Sequence, residues 1–238
     1  MQKDTGTSGV AYQSDAPTHQ DRWIAEEVFK DRSTPGFFIE AGAADGFYGS
    51  NTVALERSFG WTGLCLEPNI RFFDQLIWNR TCLCLPYALS DRDGPVEFMS
   101  AGYLGAAVEL VRAAHEKIGS DVYRHENYQK DFDGRPAVVL ERRGITFRSL
   151  FQRYAVPPDI DYLSLDLEGG EEAALRGFPF DTHKILAATV ENLMASGHQF
   201  IDHHHRAAVV DLLTGPGNMR SVMCRGVDEF FLHKDLVG

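Results

Sequence analysis

An α/β fold, a doubly wound and mostly parallel sheet with helices on both faces, is predicted by three features of this sequence. Short apolar runs bounded by glycine or proline alternate with helix-length segments, first between residues 37 and 87 and again from residue 146 onward. Phe37-Phe38-Ile39 and Gly63-Leu64-Cys65-Leu66 lack any polar alternation, as expected of strands covered on both faces. Two of these runs stop at a carboxylate, Glu40 and Glu67, at the carboxyl ends of the strands where open α/β sheets bind their ligands.

The elements follow in order. Residues 1–17 are small and polar without periodic apolar positions, and read as a loosely ordered tail ahead of one domain spanning 18–238. Trp23, Ile24, Glu27 and Val28 predict an amphipathic helix that stops before Pro35 and covers the first strand. Strand 37–41, helix 49–59, strand 63–67, helix 69–78 and strand 82–87 then give the βαβ alternation. Asp91-Arg92-Asp93-Gly94 is a turn, and residues 95–99 read as an edge strand. Regularity lapses over 100–145, a polar insertion that we read as the cover of an acceptor site. Helix 146–155, strand 161–166, helix 170–176, strand 184–191 and helix 204–214 restore the pattern, before a C-terminal strand pair at 219–224 and 228–233.

The turn after the first strand is E-x-G-x-x-x-G, from Glu40 through Gly42 to Gly46. It is not the G-x-G-x-x-G that cradles a dinucleotide. A carboxylate here repels a diphosphate and favours a ligand with positive charge, such as the sulfonium and ammonium of S-adenosylmethionine. Glu67 follows Glu40 by 27 residues, near the offset of about 20 at which an acidic residue accepts the ribose hydroxyls in dinucleotide folds. The alternative is that Glu67, with Pro68, only opens the next helix. Tyr48 and Asn51 are placed to line the donor pocket, unless Asn51 is the helix cap.

A third constellation is Asp166 with Glu168, at the end of the apolar strand that carries Tyr162, Leu163 and Leu165. Glu191-Asn192 ends the following strand in the same way, so Asp166, Glu191 and Asn192 form a set of hard oxygen donors suited to Mg²⁺. Without a metal, Asp166 contacts the methionine amino group or the acceptor, and Glu191 is an ordinary strand end. His198, His203, His204 and His205 lie just beyond and supply candidates for a general base, with His203 and His198 foremost. A solvated run of histidines at a helix start is the competing reading.

The blocks FIEAGAADG, Gly49-Ser50-Asn51-Thr52, GWTGLCLEPN, Ala88-Leu89-Ser90-Asp91 and Asp161 to Glu171 resemble, in order, those of the FkbM-type methyltransferases, over roughly residues 20–235. The resemblance implies a Rossmann-like seven-stranded sheet with a C-terminal antiparallel strand, and S-adenosylmethionine as methyl donor. On that basis Glu40, Gly42 and Gly46 hold the methionine end, Glu67 the ribose, and Ser90 with Asp91 the adenine edge, with Ala43, Asp45, Pro68 and Asn69 among the other donor-binding residues. Asp166 faces the acceptor, expected to be a hydroxyl on a sugar, glycan or secondary metabolite. A nitrogen acceptor, or a noncatalytic binding module on the same fold, is the alternative.

Composition agrees with this reading. Hydrophobic residues make up 44%, ordinary for a globular domain, and the formal net charge of −11 opposes phosphate-rich partners such as nucleic acid. No apolar stretch reaches the roughly 18–20 residues of a membrane span, and the start of the chain does not read as a secretion signal. A cytoplasmic protein with a small-molecule or glycan acceptor is therefore expected, with homo-oligomers allowed. Cys65, Cys82, Cys84 and Cys224 form no C-x-x-C pair, which argues against structural zinc.

Overall fold

The computed structural model describes residues 9–14, 18–100, 105–108, 138–191 and 203–237. Its main sheet contains β1 (Phe37–Ala41), β2 (Thr62–Leu66), β3 (Leu83–Leu85), β8 (Asp159–Leu165), β9 (Lys184–Glu191), β10 (Met219–Arg225) and β11 (Asp228–His233), in the order β10-β11-β9-β8-β1-β2-β3. β3, β2, β1, β8 and β9 run parallel. β11 is antiparallel to both β9 and β10, so it is the one reversed strand of this sheet. The strand order changes direction between β1 and β8, a switch point that opens a crevice at their carboxyl ends.

Strand periodicity sorts the side chains onto two faces. Ile39, Leu64, Leu66, Leu163, Leu165 and Phe231 pack with α4 (Phe147–Tyr154), α5 (Glu171–Arg176) and α6 (His203–Thr214), through residues such as Leu150, Leu175 and Leu213. Phe38, Cys65, Tyr162 and Phe230 point the other way, onto α1 (Gln20–Trp23), the π-helical turn Ile24–Val28, α2 (Val53–Phe59) and α3 (Ile70–Asn79). The sheet is thus covered on both faces, which accounts for its unbroken apolar strands.

Several expectations are refined. The first helix is a short α-turn followed by a π-helical one. Residues 9–14 are not loose: Tyr12 is buried, and the amides of Gln13 and Ser14 donate to Asp21 Oδ2 at 2.7 and 3.3 Å. Helix 49–59 begins only at Val53, because Ser50, Asn51 and Thr52 turn inward to bond Glu40. The strand expected at 82–87 divides at Pro86, which has no N–H to continue a ladder. Beyond it, β4 (Tyr87–Leu89) leaves the main sheet and joins β7 (Val138–Ile145), β5 (Gly94–Ser100) and β6 (Ala106–Ala107) in a second sheet of order β4-β7-β5-β6. The insertion expected at 100–145 falls mostly outside the described residues, and its last eight residues are β7, paired antiparallel with β5. No helix among the described residues is long and apolar enough to cross a membrane.

Candidate active site

Gly42 opens the crevice. Its φ is 83°, and a Cβ there would lie 1.9 Å from the backbone oxygen of Asp166, so only glycine lets the β1 turn pass the end of β8. The Gly42 and Ala43 amides donate to Leu66 O (3.0 and 3.1 Å), and the Asp166 amide donates to Ala41 O (3.1 Å), which ties the ends of β2, β1 and β8 together. Gly46, with φ 74°, passes against Leu76 and Arg80, where a Cβ would lie 2.4 Å from Leu76 Cδ1. Gly42→Ala is expected to cost a few kcal/mol of stability, from a strained φ and an overpacked contact of about 1–3 kcal/mol each. Urea unfolding checks this, and a variant as stable as the parent would show that the turn can move away from Asp166.

Glu67, at the end of β2, is 6% exposed. Its Oε2 accepts from the Ala44 amide (2.9 Å) and its Oε1 from the Asn69 amide (2.7 Å), which leaves one lone pair on each oxygen for a ligand. Burial raises its carboxyl to about 7, against the pull of those two amides, and the charge of Asp166 adds to the rise. Glu67 does not cap the following helix. Asn69 does so, its Oδ1 accepting from the Arg71 amide (3.2 Å) while its Nδ2 donates to Ser100 Oγ (3.1 Å). Pro68 lies just ahead of that cap, outside the helix.

Glu40 has a different fate from the one expected. Its Oε1 accepts from the Asn51 amide (2.7 Å) and Ser50 Oγ (3.1 Å), and its Oε2 from Thr52 Oγ1 (2.5 Å) and Arg80 Nη1 (2.9 Å). The protein's own donors fill its acceptor capacity, and in this structure Glu40 braces the turn. Arg80 also bonds Glu56 Oε2 (2.7 Å) and Thr52 Oγ1 (2.8 Å), with its side chain wholly buried. Nothing in the sequence singled out Arg80. A lone arginine just past a helix end offered no local sign of its reach.

The remaining donor-side residues separate in the same manner. Asp45 Oδ1 accepts from the Phe47 and Tyr48 amides (2.8 and 2.9 Å), an Asx turn that shapes the loop and directs this carboxylate inward. Tyr48 is 65% exposed at the tip of that loop. Asn51 is not a cap: its side-chain amide donates to Ser164 Oγ on β8 (2.9 Å). Ser90 and Asp91 sit at the carboxyl end of β4 in the second sheet, where Ser90 Oγ donates to Asp91 Oδ1 (3.2 Å).

Opposite Glu67 the crevice is strongly acidic. One oxygen from each of Asp166, Glu168 and Glu191 lies within 4.8 Å of the others. Asp166 opens to solvent on one side, but crowding by protein elsewhere raises its carboxyl to about 6, opposed by a hydrogen bond shared with Glu191 and aided by the charge of Glu171. Burial, then repulsion from Asp166 and Glu171, pushes Glu168 well up, and Glu191 is raised by burial and the same cluster. Asp228, beside Glu191 in the β9–β11 register, is raised to about 8 by burial and then by Asp166. Glu191 Oε2 is buried without a hydrogen-bond partner among the described residues. Glu168, with φ 53°, joins Asp166 and Glu191 in this set, while Asn192, the other oxygen donor expected here, lies outside the described residues.

Of the histidines, His198 lies outside the described residues, as does the side chain of His203, although His203 begins α6. His205 turns away from solvent: its Nε2 is 3.0 Å from Glu171 Oε2, while Glu171 Oε1 accepts from the Leu167 and Gly169 amides. It thereby braces the loop that carries Asp166 and Glu168. A separate cleft of about 620 Å³, lined by Phe29, Arg32, Phe37 and Asp161 among others, opens at the amino-terminal edge of the strands and includes none of these residues.

The raised carboxyls carry a pH dependence. Asp and Glu start from 3.8 and 4.5 in the unfolded chain, whereas Asp166, Glu67 and Asp228 sit at about 6, 7 and 8 in the folded one. The folded state holds these protons more tightly, so stability falls as pH rises between about 4 and 8. Thermal melts of the ligand-free protein are expected to be higher at pH 5 than at pH 8. A melting temperature that rises over that range would contradict the raised carboxyls of Glu67 and Asp228, which are buried.

Among solved structures, the chain is similar to an O-methyltransferase from Bacillus cereus in complex with SAH, at 11% identity and a TM-score of 0.47, covering 96% of this chain and 85% of that one. It is also similar to a human methyltransferase 10 domain containing protein, at 12% identity and a TM-score of 0.44, covering 96% and 89%. No curated protein sequence matches. A family model, the methyltransferase FkbM domain, matches residues 40–225, from the strand-end Glu40 to the last residue of β10. With that match over most of its length, the chain belongs to the methyltransferase FkbM domain family.

Proposed function

We propose that this methyltransferase moves the methyl group of S-adenosylmethionine to a hydroxyl of a small acceptor, such as a sugar, a glycan or a secondary metabolite. The observation that carries the reading is the pair of carboxylates, Glu67 and Asp166, set across a glycine turn at the sheet's switch point. The residues fit the donor: an acidic crevice suits a ligand that is cationic at its sulfonium and ammonium.

S-Adenosylmethionine supplies an electrophilic methyl group when bound. Glu67 accepts the two ribose hydroxyls, with its carboxylate held by the Ala44 and Asn69 amides. Asp166 faces the acceptor. Poised at about 6, it is ionised at neutral pH yet basic enough to take the acceptor's proton as the oxygen attacks. Most of the remaining rate enhancement comes from holding the hydroxyl in line with the methyl carbon. The alternative to Asp166 as base is that Asp166, Glu168 and Glu191, a hard-oxygen set, would hold Mg²⁺, which would lower the pKa of an acceptor hydroxyl.

The test is calorimetric titration of S-adenosylhomocysteine into the protein, in Mg²⁺ and in EDTA, repeated for Asp166→Ala. Micromolar binding supports the donor site, and a magnesium effect lost in the variant supports the metal. No binding in either buffer overturns the reading.

A further inference from the structure

Outside the crevice, a cluster of sulfur atoms adjoins the brace of the donor turn. Cys65 on β2 is fully buried, whereas Cys82, one residue before β3 at the edge of the main sheet, is partly exposed. Their Sγ atoms are 3.5 Å apart. Cys65 Sγ also lies 3.7 Å from Glu40 Oε2, the oxygen that receives Arg80.

We propose that Cys82 is a site of oxidation by hydrogen peroxide, resolved by Cys65 into a disulfide that loosens the donor turn. The chemistry balances. The Cys82 thiolate attacks the peroxide oxygen, the O–O bond breaks, and a sulfenic acid forms with release of hydroxide. The Cys65 sulfur then attacks the Cys82 sulfur, and the sulfenic hydroxyl leaves as water with the Cys65 proton. Two thiols are oxidised and one peroxide is reduced to two waters.

Each thiol has the character its role requires. Cys82 is held down to about 5, first by the hydrogen bond from Cys65, then by Cys84 and by the charge of Arg80, so it is the thiolate and the nucleophile. Burial keeps Cys65 protonated until it attacks. A disulfide needs sulfurs about 2.05 Å apart, which asks each sulfur to move by less than about 1 Å. The bond draws Cys65 Sγ away from its place 3.7 Å from Oε2 of Glu40, whose donors Ser50, Asn51, Thr52 and Arg80 position the loop behind the crevice.

The effect on the donor rests on the methyl-donor reading above, whereas the cross-link does not. The test treats the full chain with hydrogen peroxide and maps its peptides by mass spectrometry, for the parent, Cys82→Ser and Cys65→Ser. A 65–82 cross-link in the parent is expected, none in Cys82→Ser, and a dimedone-trapped Cys82 sulfenic acid in Cys65→Ser. S-Adenosylhomocysteine affinity of the oxidised parent is expected to fall at least about threefold and to return with dithiothreitol, while Cys82→Ser keeps its affinity through peroxide treatment. Absence of the cross-link, or a cross-link that leaves a measurable affinity unchanged, overturns the proposal. If the reduced parent binds no S-adenosylhomocysteine at all, the methyl-donor reading fails, and the peptide map alone decides whether the cysteines react.

Discussion

Replacing Glu67 with alanine is expected to weaken S-adenosylhomocysteine binding at least about tenfold, since 1.4 kcal/mol corresponds to one decade. The carboxylate is buried, and each oxygen already holds one backbone amide. A ribose diol meeting the two remaining lone pairs would make charge-assisted bonds of about 1.5–3 kcal/mol each. Alanine removes both and also releases the Ala44 amide, so a loss of more than one decade is in keeping with the geometry. Glu67→Gln separates the two contributions, because it preserves shape and one acceptor oxygen while removing the charge. Calorimetry at pH 8, where the parent carboxyl is ionised, reads the effect most clearly. If Glu67→Ala melts lower but binds as tightly as the parent, Glu67 is a brace for the Ala44 turn and the ribose assignment fails.

Arg80→Met is expected to cost about 3–5 kcal/mol of stability, the usual consequence of stripping one partner from a buried ion pair. The Arg80 side chain is 0% exposed and lies between Glu40 and Glu56, at 4% and 6%. Burial alone would raise the Glu56 carboxyl, and Arg80 together with Thr81 holds it below its ordinary value instead. Methionine fills part of the space but leaves two carboxylates unneutralised beside Phe38. For a chain of this length the melting temperature should fall by roughly 10 °C, at about 2–4 °C per kcal/mol. Adding Glu40→Gln and Glu56→Gln to Arg80→Met should recover part of the loss, because neutral amides need no counter-charge. A single substitution costing less than about 1 kcal/mol would show that water reaches this cluster and that Arg80 is not its hub.

These two substitutions mark the boundary between what was legible in the sequence and what was not. Glu40 and Glu67 look alike as letters, each a glutamate that ends an apolar strand ahead of a turn. The fold commits one to Arg80, Ser50 and Thr52, and leaves the other with free lone pairs. Nothing within a few residues of Glu40 announces that partner. Arg80 lies 40 positions away and reaches it only because α3 packs onto the face that carries Phe38. β7 escaped detection for a related reason. Val138-Val139-Leu140-Glu141-Arg142-Arg143 alternates neither at period 2 nor at 3.6, is largely exposed, and owes its strand to pairing with β5 and β4.

Taken by itself, the sequence determined the main sheet, its helices, the glycine turn and the rim of strand-end carboxylates, because burial repeats with the period of each element and is written in consecutive residues. Tertiary structure alone decided which carboxylates are braced and which face the crevice, that Pro86 sends the chain into a second sheet, and that Glu168 joins Asp166 and Glu191. Those outcomes depend on which charges and backbone groups meet across long separations in the chain, and on the low dielectric in which they meet, which no local pattern encodes.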